Sequence, residues 1–310
     1  MGSEFTINNS VKISDITGFG KTTIGFLLVG LATSLPELSV SIFAVANPEN
    51  VGVSLGNVLG SNIVNIALVL GVCILIIVLK RPRYPSFLLT IAKEEMGNLH
   101  FGLFIASIIP LALLYIGYAS RFIGVILLGI FIFYTIQLAR SKRTKLESTE
   151  VQVSERSKMR RYTLIAVAGA VVVIATAFFI VESSSFIALS VGIPRVVIGA
   201  TIVAFGTSIP ELATSLVGVF KKEHHLAVGN VIGSNIFNLT AVLLPTCFLG
   251  LTQPIDPLLF SRDLPVMLGF SLLFLLMSQH KKKIFHVSRW EGGILFLSYI
   301  GYITFLVLTI

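Results

Sequence analysis

Two stretches of the chain decide its fold: TTIGFLLVGLATSLPELSVSIFAVA (residues 22–46) and VVIGATIVAFGTSIPELATSLVGVF (residues 196–220). They are related by a shift of 174 residues and share 10 identities in 25 positions. A second pair, LGNVLGSNIVNIALVL (55–70) and VGNVIGSNIFNLTAVL (228–243), is related by a shift of 173 and shares 10 identities in 16. Two matching pairs at nearly the same spacing indicate that the chain is an internal duplication.

The composition places both copies in a membrane. The chain is 55% hydrophobic and 12% charged, with a mean hydropathy of +0.92, which excludes an ordinary soluble domain. Because lipid offers the backbone no hydrogen-bond partners, each apolar stretch long enough to cross a bilayer is predicted to be a helix. The predicted fold class is an all-α polytopic membrane protein with about nine spans: 22–47, 53–79, 99–118, 122–139, 162–182, 196–220, 226–250, 264–279 and 290–310.

The positive charges predict the orientation of these spans. On the nine-span arrangement, 20 of the 23 Lys and Arg residues fall on one side of the membrane, and the other 3 are Arg121, Arg195 and Arg262. The positive-inside rule places the first group in the cytoplasm, with the N-terminus inside and the C-terminus outside a cell (plasma) membrane. We therefore interpret the net charge of +8 as a result of the orientation of the spans in the membrane. We expect the lipid bilayer, and no nucleic acid, as the partner of this protein.

The same orientation makes the two halves inverted repeats. Span 22–47 runs outward and span 196–220 runs inward, an arrangement typical of secondary transporters, whose sites lie near the midplane where the repeats meet. We expect a first half over 1–139, a charged cytoplasmic linker over 140–161 and a second half over 162–310.

The repeat also predicts a helix that the first half largely lacks. Subtracting 174 from the opening span of the second half, 162–182, places most of it before residue 1. The expectation is either a protein with nine spans or a chain that starts downstream of its natural start.

Glu37 and Glu211 are the predicted centre of a cation site. Each lies near the middle of an apolar span, where an ionisable group costs several kcal/mol unless it faces a partner or a wet cavity. A buried carboxyl bonded to a neighbouring helix is the alternative, but the same residue recurs at pseudo-symmetric positions. Two carboxylates would balance one divalent cation, and two or more protons or sodium ions could approximate the same balance.

Each glutamate follows a proline, Pro36 or Pro210, within the shared sequence TS(L/I)PE. Because proline has no N–H to donate, it frees the carbonyl four residues before it and strains the next one. Freed carbonyls, hydroxyls and carboxylates form an all-oxygen set, which hard cations such as Ca²⁺ and Na⁺ prefer. The sequence therefore predicts one oxygen-lined site shared by the two halves.

The second motif, GNV(L/I)GSN, combines packing and polar residues. Its glycines form a GxxxG pattern that favours close helix contact; they are Gly56, Gly60, Gly229 and Gly233. Each motif serine shares a helix face with the asparagine four residues after it, so the pair can line one cavity. The pairs are Ser61 with Asn65 and Ser234 with Asn238. The remaining asparagines, Asn57, Asn62, Asn230 and Asn235, are as consistent with helix-to-helix packing as with a site.

The duplicated TS(L/I)PE and GNV(L/I)GSN motifs resemble the alpha-repeats of the sodium/calcium exchanger, or cation/calcium antiporter, superfamily, in its prokaryotic, short-loop form. The resemblance implies ten helices in the family and alternating access, in which the first helix of each half slides past a rigid core. It implies calcium ligands from Glu37, Glu211, Thr33 and Thr207. It also implies neighbouring sodium sites that use the four residues of the second motif, together with Ser34 and Ser208.

The resulting expectation is a membrane antiporter that exchanges Ca²⁺ for Na⁺ or H⁺, and not an enzyme. We expect no cofactor and a monomer. Asn238 stands where some exchangers carry Asp, so the coupling ion stays open. The alternatives are a calcium/proton or other divalent cation antiporter of the same fold, and a non-transporting, truncated membrane protein that only binds cations.

Overall fold

A computed structural model of the chain describes residues 1–46, 51–80, 86–89, 102–104, 107–108, 120–140, 158–190, 199–249, 257–278 and 285–308. The helices of the first half are α1 (Gly2–Thr17), α2 (Lys21–Thr33, with a π-helical turn at Gly25–Gly30), α3 (Leu35–Val45), α4 (Val51–Ile63, a π-helical turn at Val64–Leu70, and Gly71–Lys80) and α5 (Arg121–Arg140).

The second half repeats this order. Its helices are α6 (Met159–Ser190), α7 (a π-helical turn at Gly199–Val203, then Ala204–Thr207), α8 (Ile209–Phe220), α9 (His224–Leu249, with a π-helical turn at Asn238–Val242), α10 (a π-helical turn at Leu259–Asp263, then Leu264–Ser278) and α11 (Arg289–Leu308). Two short strands, β1 (Ser86–Leu89) and β2 (Phe285–Ser288), pair antiparallel with Ser86 opposite Ser288.

The apolar helices agree with the predicted spans. Six described helices are long and apolar enough to cross a membrane, and the bent pairs α2–α3 and α7–α8 raise this number to as many as eight. These eight correspond to eight of the nine predicted spans. The ninth, 99–118, lies outside the described residues except for two short helical stretches at 102–104 and 107–108.

The two central helices, α4 and α9, carry the GNV(L/I)GSN motifs and are mostly buried, whereas α5, α6 and α11 leave most of their surface exposed. Glycine lets the backbone of α9 approach α2 closely. A Cβ at Gly233 would lie 2.6 Å from the ring of Phe26, and one at Gly25 would lie 2.6 Å from the carbonyl oxygen of Leu226. Because any side chain would clash at these positions, the helix pair depends on its small residues.

Helix α1 was not among the predicted spans, and with 16 residues it is shorter than the described helices that could cross a membrane. It packs along α6, where the Thr6 hydroxyl donates to the carbonyl of Ala166 at 3.2 Å. Near its other end, the Lys12 ammonium lies 4.6 Å from the centre of the Tyr162 ring. The first helical segments of the two halves are therefore in direct contact.

Candidate functional site

Both TS(L/I)PE motifs break their helix at the serine. The pair α2–α3 bends by 40° at Ser34, and α7–α8 bends by 43° at Ser208. Ser34 has φ −87° and ψ 8°, and Ser208 has φ −83° and ψ 1°, so both occupy the same sparsely populated backbone region. The prolines of the motifs lie in the first turn of α3 and α8, where a missing N–H leaves no helical bond unmade.

This break places each glutamate in the first turn of a helix. Glu37 is the third residue of α3 and Glu211 is the third residue of α8, so each carboxylate lies near the positive end of a helix dipole. Both side chains have no solvent-exposed surface. They are close enough to repel each other electrostatically, so the two halves bring their acidic groups into one interior region.

The carboxylates are only partly satisfied by the protein. The Ser34 hydroxyl of the first half donates to Glu211 Oε1 of the second half at 3.0 Å. Glu211 Oε2 and both oxygens of Glu37 are buried without a hydrogen-bond partner among the described residues, as is the Ser208 hydroxyl. Thr207 and Ser208 are polar neighbours of Glu37. Oxygens left in this state cost free energy unless a positive ion joins them.

Two asparagines, Asn57 and Asn230, connect the two halves by hydrogen bonds. The Thr33 hydroxyl donates to Asn230 Oδ1 at 3.1 Å, and Asn230 Nδ2 donates to the backbone carbonyl of Glu211 at 3.3 Å. In the other half, the Thr207 hydroxyl donates to Asn57 Oδ1 at 3.0 Å.

Asn57 Nδ2 completes the second bridge by donating to the backbone carbonyl of Glu37 at 3.4 Å. Each asparagine therefore ties the threonine of one half to the glutamate of the other. The sequence did not decide between packing and a site role for these residues; the available signal was their equivalence under the repeat shift.

The serines of the second motif face the opposite half as well. The Ser61 hydroxyl donates to the Ala204 carbonyl at 3.4 Å, and the Ser234 hydroxyl donates to the Gly30 carbonyl at 3.3 Å. The ten predicted ligand residues are all buried, with at most 1% of their surface exposed; they are Thr33, Ser34, Glu37, Ser61, Asn65, Thr207, Ser208, Glu211, Ser234 and Asn238.

Asn65 and Asn238, three residues after the second motif, have buried polar atoms without a hydrogen-bond partner among the described residues. Asn65 has no hydrogen-bond partner for either amide atom among the described residues, and Asn238 has none for Oδ1. Asn238 Nδ2 donates to Asn62 Oδ1 at 3.2 Å. Asn62 and Asn235 each donate to the other's backbone carbonyl at 3.3 Å, which joins α4 and α9 across the repeat axis.

The backbone around the site is irregular at matching places. The π-helical turns Gly25–Gly30 and Gly199–Val203 begin 174 residues apart, and Val64–Leu70 overlaps Asn238–Val242 after a shift of 173. Such turns frequently occur at functional sites because they interrupt the regular hydrogen-bond ladder. Here they lie on α2, α4, α7 and α9, each of which carries at least one predicted ligand, whereas Glu37 and Glu211 lie on α3 and α8.

The donor set fits a hard cation. Carboxylate, hydroxyl, amide and backbone oxygens are the ligands that Ca²⁺ and Na⁺ take, and no thiol or imidazole is among the predicted ligands. In the part of the chain that the structure describes, no group of three or more His, Cys, Asp or Glu side chains could hold a metal. A cation between Glu37 and Glu211 would therefore complete its shell with neutral oxygens.

Apolar helices, a duplicated fold and a shared interior carboxylate pair together define an integral membrane protein of the secondary transporter class. The family model of the sodium/calcium exchanger protein matches residues 1–139 and 161–308, and the chain belongs to this family.

Two curated relatives match most of the chain. The inner membrane protein YrbG of Escherichia coli is 35% identical over 271 residues, 84% of this chain and 79% of YrbG. The putative antiporter CaxA of Alkalimonas amylolytica is 35% identical over 287 residues, 90% of this chain and 86% of CaxA.

Solved structures of the sodium-calcium exchanger NCX_Mj have the same fold. The form soaked with 10 mM Na⁺ and zero Ca²⁺ superposes with a TM-score of 0.78 at 28% identity, covering 98% of this chain and 93% of that one. The form soaked with 100 mM Na⁺ and 10 mM Sr²⁺ gives a TM-score of 0.75 at 29% identity. The predicted fold class, the inverted-repeat exchanger fold, is confirmed.

Proposed function

We propose that this protein is a secondary active antiporter that exchanges Ca²⁺ for Na⁺ or H⁺ by alternating access. The observation that carries the proposal is the pair of fully buried carboxylates, Glu37 and Glu211, one from each half, in a shared polar interior. The relatives of this chain include the sodium-calcium exchanger NCX_Mj and the putative antiporter CaxA. Ion gradients, rather than a chemical reaction or cofactor, would supply the driving force.

The two carboxylates would hold the divalent cation, assisted by the backbone carbonyls of Thr33 and Thr207. The hydroxyls and amides around them, from the serines of both motifs and from Asn65 and Asn238, would hold the monovalent cations. The three unpartnered carboxylate oxygens and the unpartnered amide of Asn65 support this division. Cations binding there would replace the hydrogen bonds that the protein does not supply.

The moving elements would be α1 and α6, the first helical segments of the two halves. They contact each other and lie outside the buried core formed by α4 and α9. In this scheme the halves span 1–139 and 162–310, the linker 140–161 is cytoplasmic, and the protein acts as a monomer in the plasma membrane with its C-terminus outside.

Calcium flux into sealed vesicles tests the proposal. Purified protein is reconstituted, and calcium uptake is measured after an outward Na⁺ gradient or, separately, an outward H⁺ gradient is imposed. Uptake driven by either gradient is expected, and the gradient that drives it identifies the coupling ion. Glu37→Gln and Glu211→Gln should abolish it because each removes one charge from the site.

Glu291→Gln is the matched control, since Glu291 lies on α11 and is partly exposed. It should transport like the unaltered protein. Calcium binding without flux under both gradients would overturn transport and favour a non-transporting, cation-binding protein. Uptake that survives both glutamine substitutions would overturn the assignment of the site.

A further inference from the structure

Asn238 has a buried amide oxygen that the protein leaves without a partner. The residue is fully buried and begins the π-helical turn of α9. Its Nδ2 donates to Asn62 Oδ1 at 3.2 Å, whereas its Oδ1 accepts no hydrogen bond among the described residues. Ser234, four residues earlier on α9, is a polar neighbour of Glu211. Because residues four apart share a helix face, the unpartnered oxygen belongs to the face of α9 that lies beside this carboxylate.

The direction of the Asn238 amide is set by Asn62. The Nδ2 atom of Asn62 contacts two atoms that can only accept a hydrogen bond: the backbone oxygen of Asn235 at 3.3 Å and Sδ of Met267 at 3.8 Å. Because neither atom has a proton to give, the Asn62 amide turns its N–H groups toward them and its oxygen away. That oxygen faces Asn238, whose amide must then present its own N–H groups and point its oxygen elsewhere.

The equivalent contact is missing in the other repeat. A shift of 173 relates Asn62 to Asn235 and Asn65 to Asn238. Asn235 donates to the backbone carbonyl of Asn62 at 3.3 Å, but its Oδ1 accepts no hydrogen bond among the described residues. In the same part of the chain, Asn65 has no partner for either amide atom. Two asparagines at repeat-equivalent positions therefore differ, because a hydrogen bond orients Asn238 and none orients Asn65.

The orientation decides what an amide offers to a cation. Its oxygen carries partial negative charge and is a ligand for hard cations, whereas its N–H groups carry partial positive charge and repel them. An amide held with its oxygen available is already ordered when the ion arrives. An amide that can rotate loses that freedom on binding, and only a fraction of its orientations is competent to bind.

We propose that Asn62 is a positioning residue of the monovalent-cation site, which holds the Asn238 amide with Oδ1 available to the ion. The inference deepens the proposed function and rests on it, because it takes Asn238 as a cation ligand. Asn62 itself does not contact the ion and acts through its hydrogen bond to Asn238. The two repeats thus supply ligands of the same type but of unequal preorganisation.

Binding of radioactive Na⁺ to full-length, detergent-solubilised protein tests the inference. Asn62→Leu keeps a side chain of similar volume and removes the hydrogen bonds of the amide. We expect it to weaken Na⁺ binding by about three- to tenfold, the factor that a hydrogen bond inside a membrane protein contributes. Asn62→Ala repeats the measurement with a smaller side chain, so that a packing defect caused by leucine does not decide the result.

Asn235→Leu is the matched control. It removes the equivalent bond between α4 and α9, and among the described residues the Asn235 side chain makes no hydrogen bond to Asn65 or Asn238. It should lower the unfolding midpoint, measured without Na⁺, about as much as Asn62→Leu does. Its Na⁺ affinity should change by less than about twofold. Equal losses of Na⁺ affinity in the two leucine variants would overturn the positioning role.

A double-mutant cycle with Asn238→Ala separates positioning from packing. If Asn62 acts through Asn238, the alanine substitution costs at least about threefold less Na⁺ affinity after Asn62→Leu than in the unaltered protein. Losses that simply multiply would show that Asn62 only packs the helices, and the inference would fail while the cation site stands. Absence of Na⁺ binding by the unaltered protein would instead overturn the monovalent-cation site of the proposed function, and the inference with it.

Discussion

Asn230 offers the sharpest test of how the two halves build one site. Its side chain makes four hydrogen-bond contacts: the two N–H groups of Nδ2 are shared among the Glu211 carbonyl at 3.3 Å, the Thr214 hydroxyl at 3.0 Å and the Ser215 hydroxyl at 2.9 Å. Its Oδ1 accepts from the Thr33 hydroxyl of the other half at 3.1 Å. The change Asn230→Ala removes all four contacts and leaves their partners buried.

The contacts divide into two groups with different consequences. At about 0.6 kcal/mol for each hydrogen bond in a membrane protein, four bonds amount to about 2.4 kcal/mol of stability. Only two of them, those to Thr33 and to the carbonyl of Glu211, touch the predicted ligands, and they amount to about 1.2 kcal/mol. We therefore expect Asn230→Ala to weaken calcium binding by about tenfold.

The assay is isothermal titration of calcium into detergent-solubilised protein, together with a thermal unfolding midpoint for each variant. Tyr302→Phe is the control, because it removes one buried hydrogen bond, to Asp263, and neither of these residues hydrogen-bonds to a predicted ligand among the described residues. It should lower the midpoint and leave calcium affinity unchanged.

A double-mutant cycle with Thr33→Val isolates the bond that joins the halves. A coupling of about 0.6 kcal/mol in calcium binding is expected, and values above about 1.7 kcal/mol would exceed what such bonds supply. If Asn230→Ala lowers the midpoint but changes calcium affinity by less than about twofold, the asparagine only packs the helices and the reasoning fails.

The remaining predictions concern packing and topology. Gly233→Ala should destabilise the protein by about 1–3 kcal/mol, because its Cβ would meet the Phe26 ring, whereas Gly269→Ala, with nothing within 4 Å, should leave the unfolding midpoint unchanged. Equal midpoints for the two variants would contradict the close approach of α2 and α9. Arg160→Cys and Arg121→Cys should react with an impermeant maleimide from opposite faces of right-side-out membranes, Arg121→Cys from outside, and the native Cys73 and Cys247 are buried and should give little background. Labelling of both variants from the same face would refute the predicted orientation.

Much of the site could be predicted from the sequence because its signals are local and repeated. An acidic residue in an apolar span stands out because burying an ionisable group in the membrane costs free energy. The same residue type at equivalent positions of both repeats, Glu37 and Glu211, argues against a chance placement. The helix lengths followed from the same logic, since a span must be apolar for its whole length. The structure places both carboxylates in the interior, as these patterns predicted; their role as cation ligands stays a prediction.

Other features could not be read from the chain because they depend on what packs against each helix. The prolines predicted freed carbonyls inside a helix, but not that the helix would break at Ser34 or Ser208 and that a new helix would start at the next residue. The bridging role of Asn57 and Asn230 required knowing that α4 and α9 each lie beside the opposite half. Helix α1 was not predicted because it lacks a long apolar stretch. Its polar residues are buried against α6 and α8.

The matching π-helical turns bear on the history of the protein. A π-helical turn closes its hydrogen bond over five residues, whereas an α-helical turn closes it over four. Adding one residue to an α-helix can therefore produce a π-helical turn. Insertions at equivalent offsets in both halves are most simply inherited from one event that preceded the duplication. Under that reading, the irregular backbone is as old as the repeat unit itself, and each half of the present chain keeps its own copy of it.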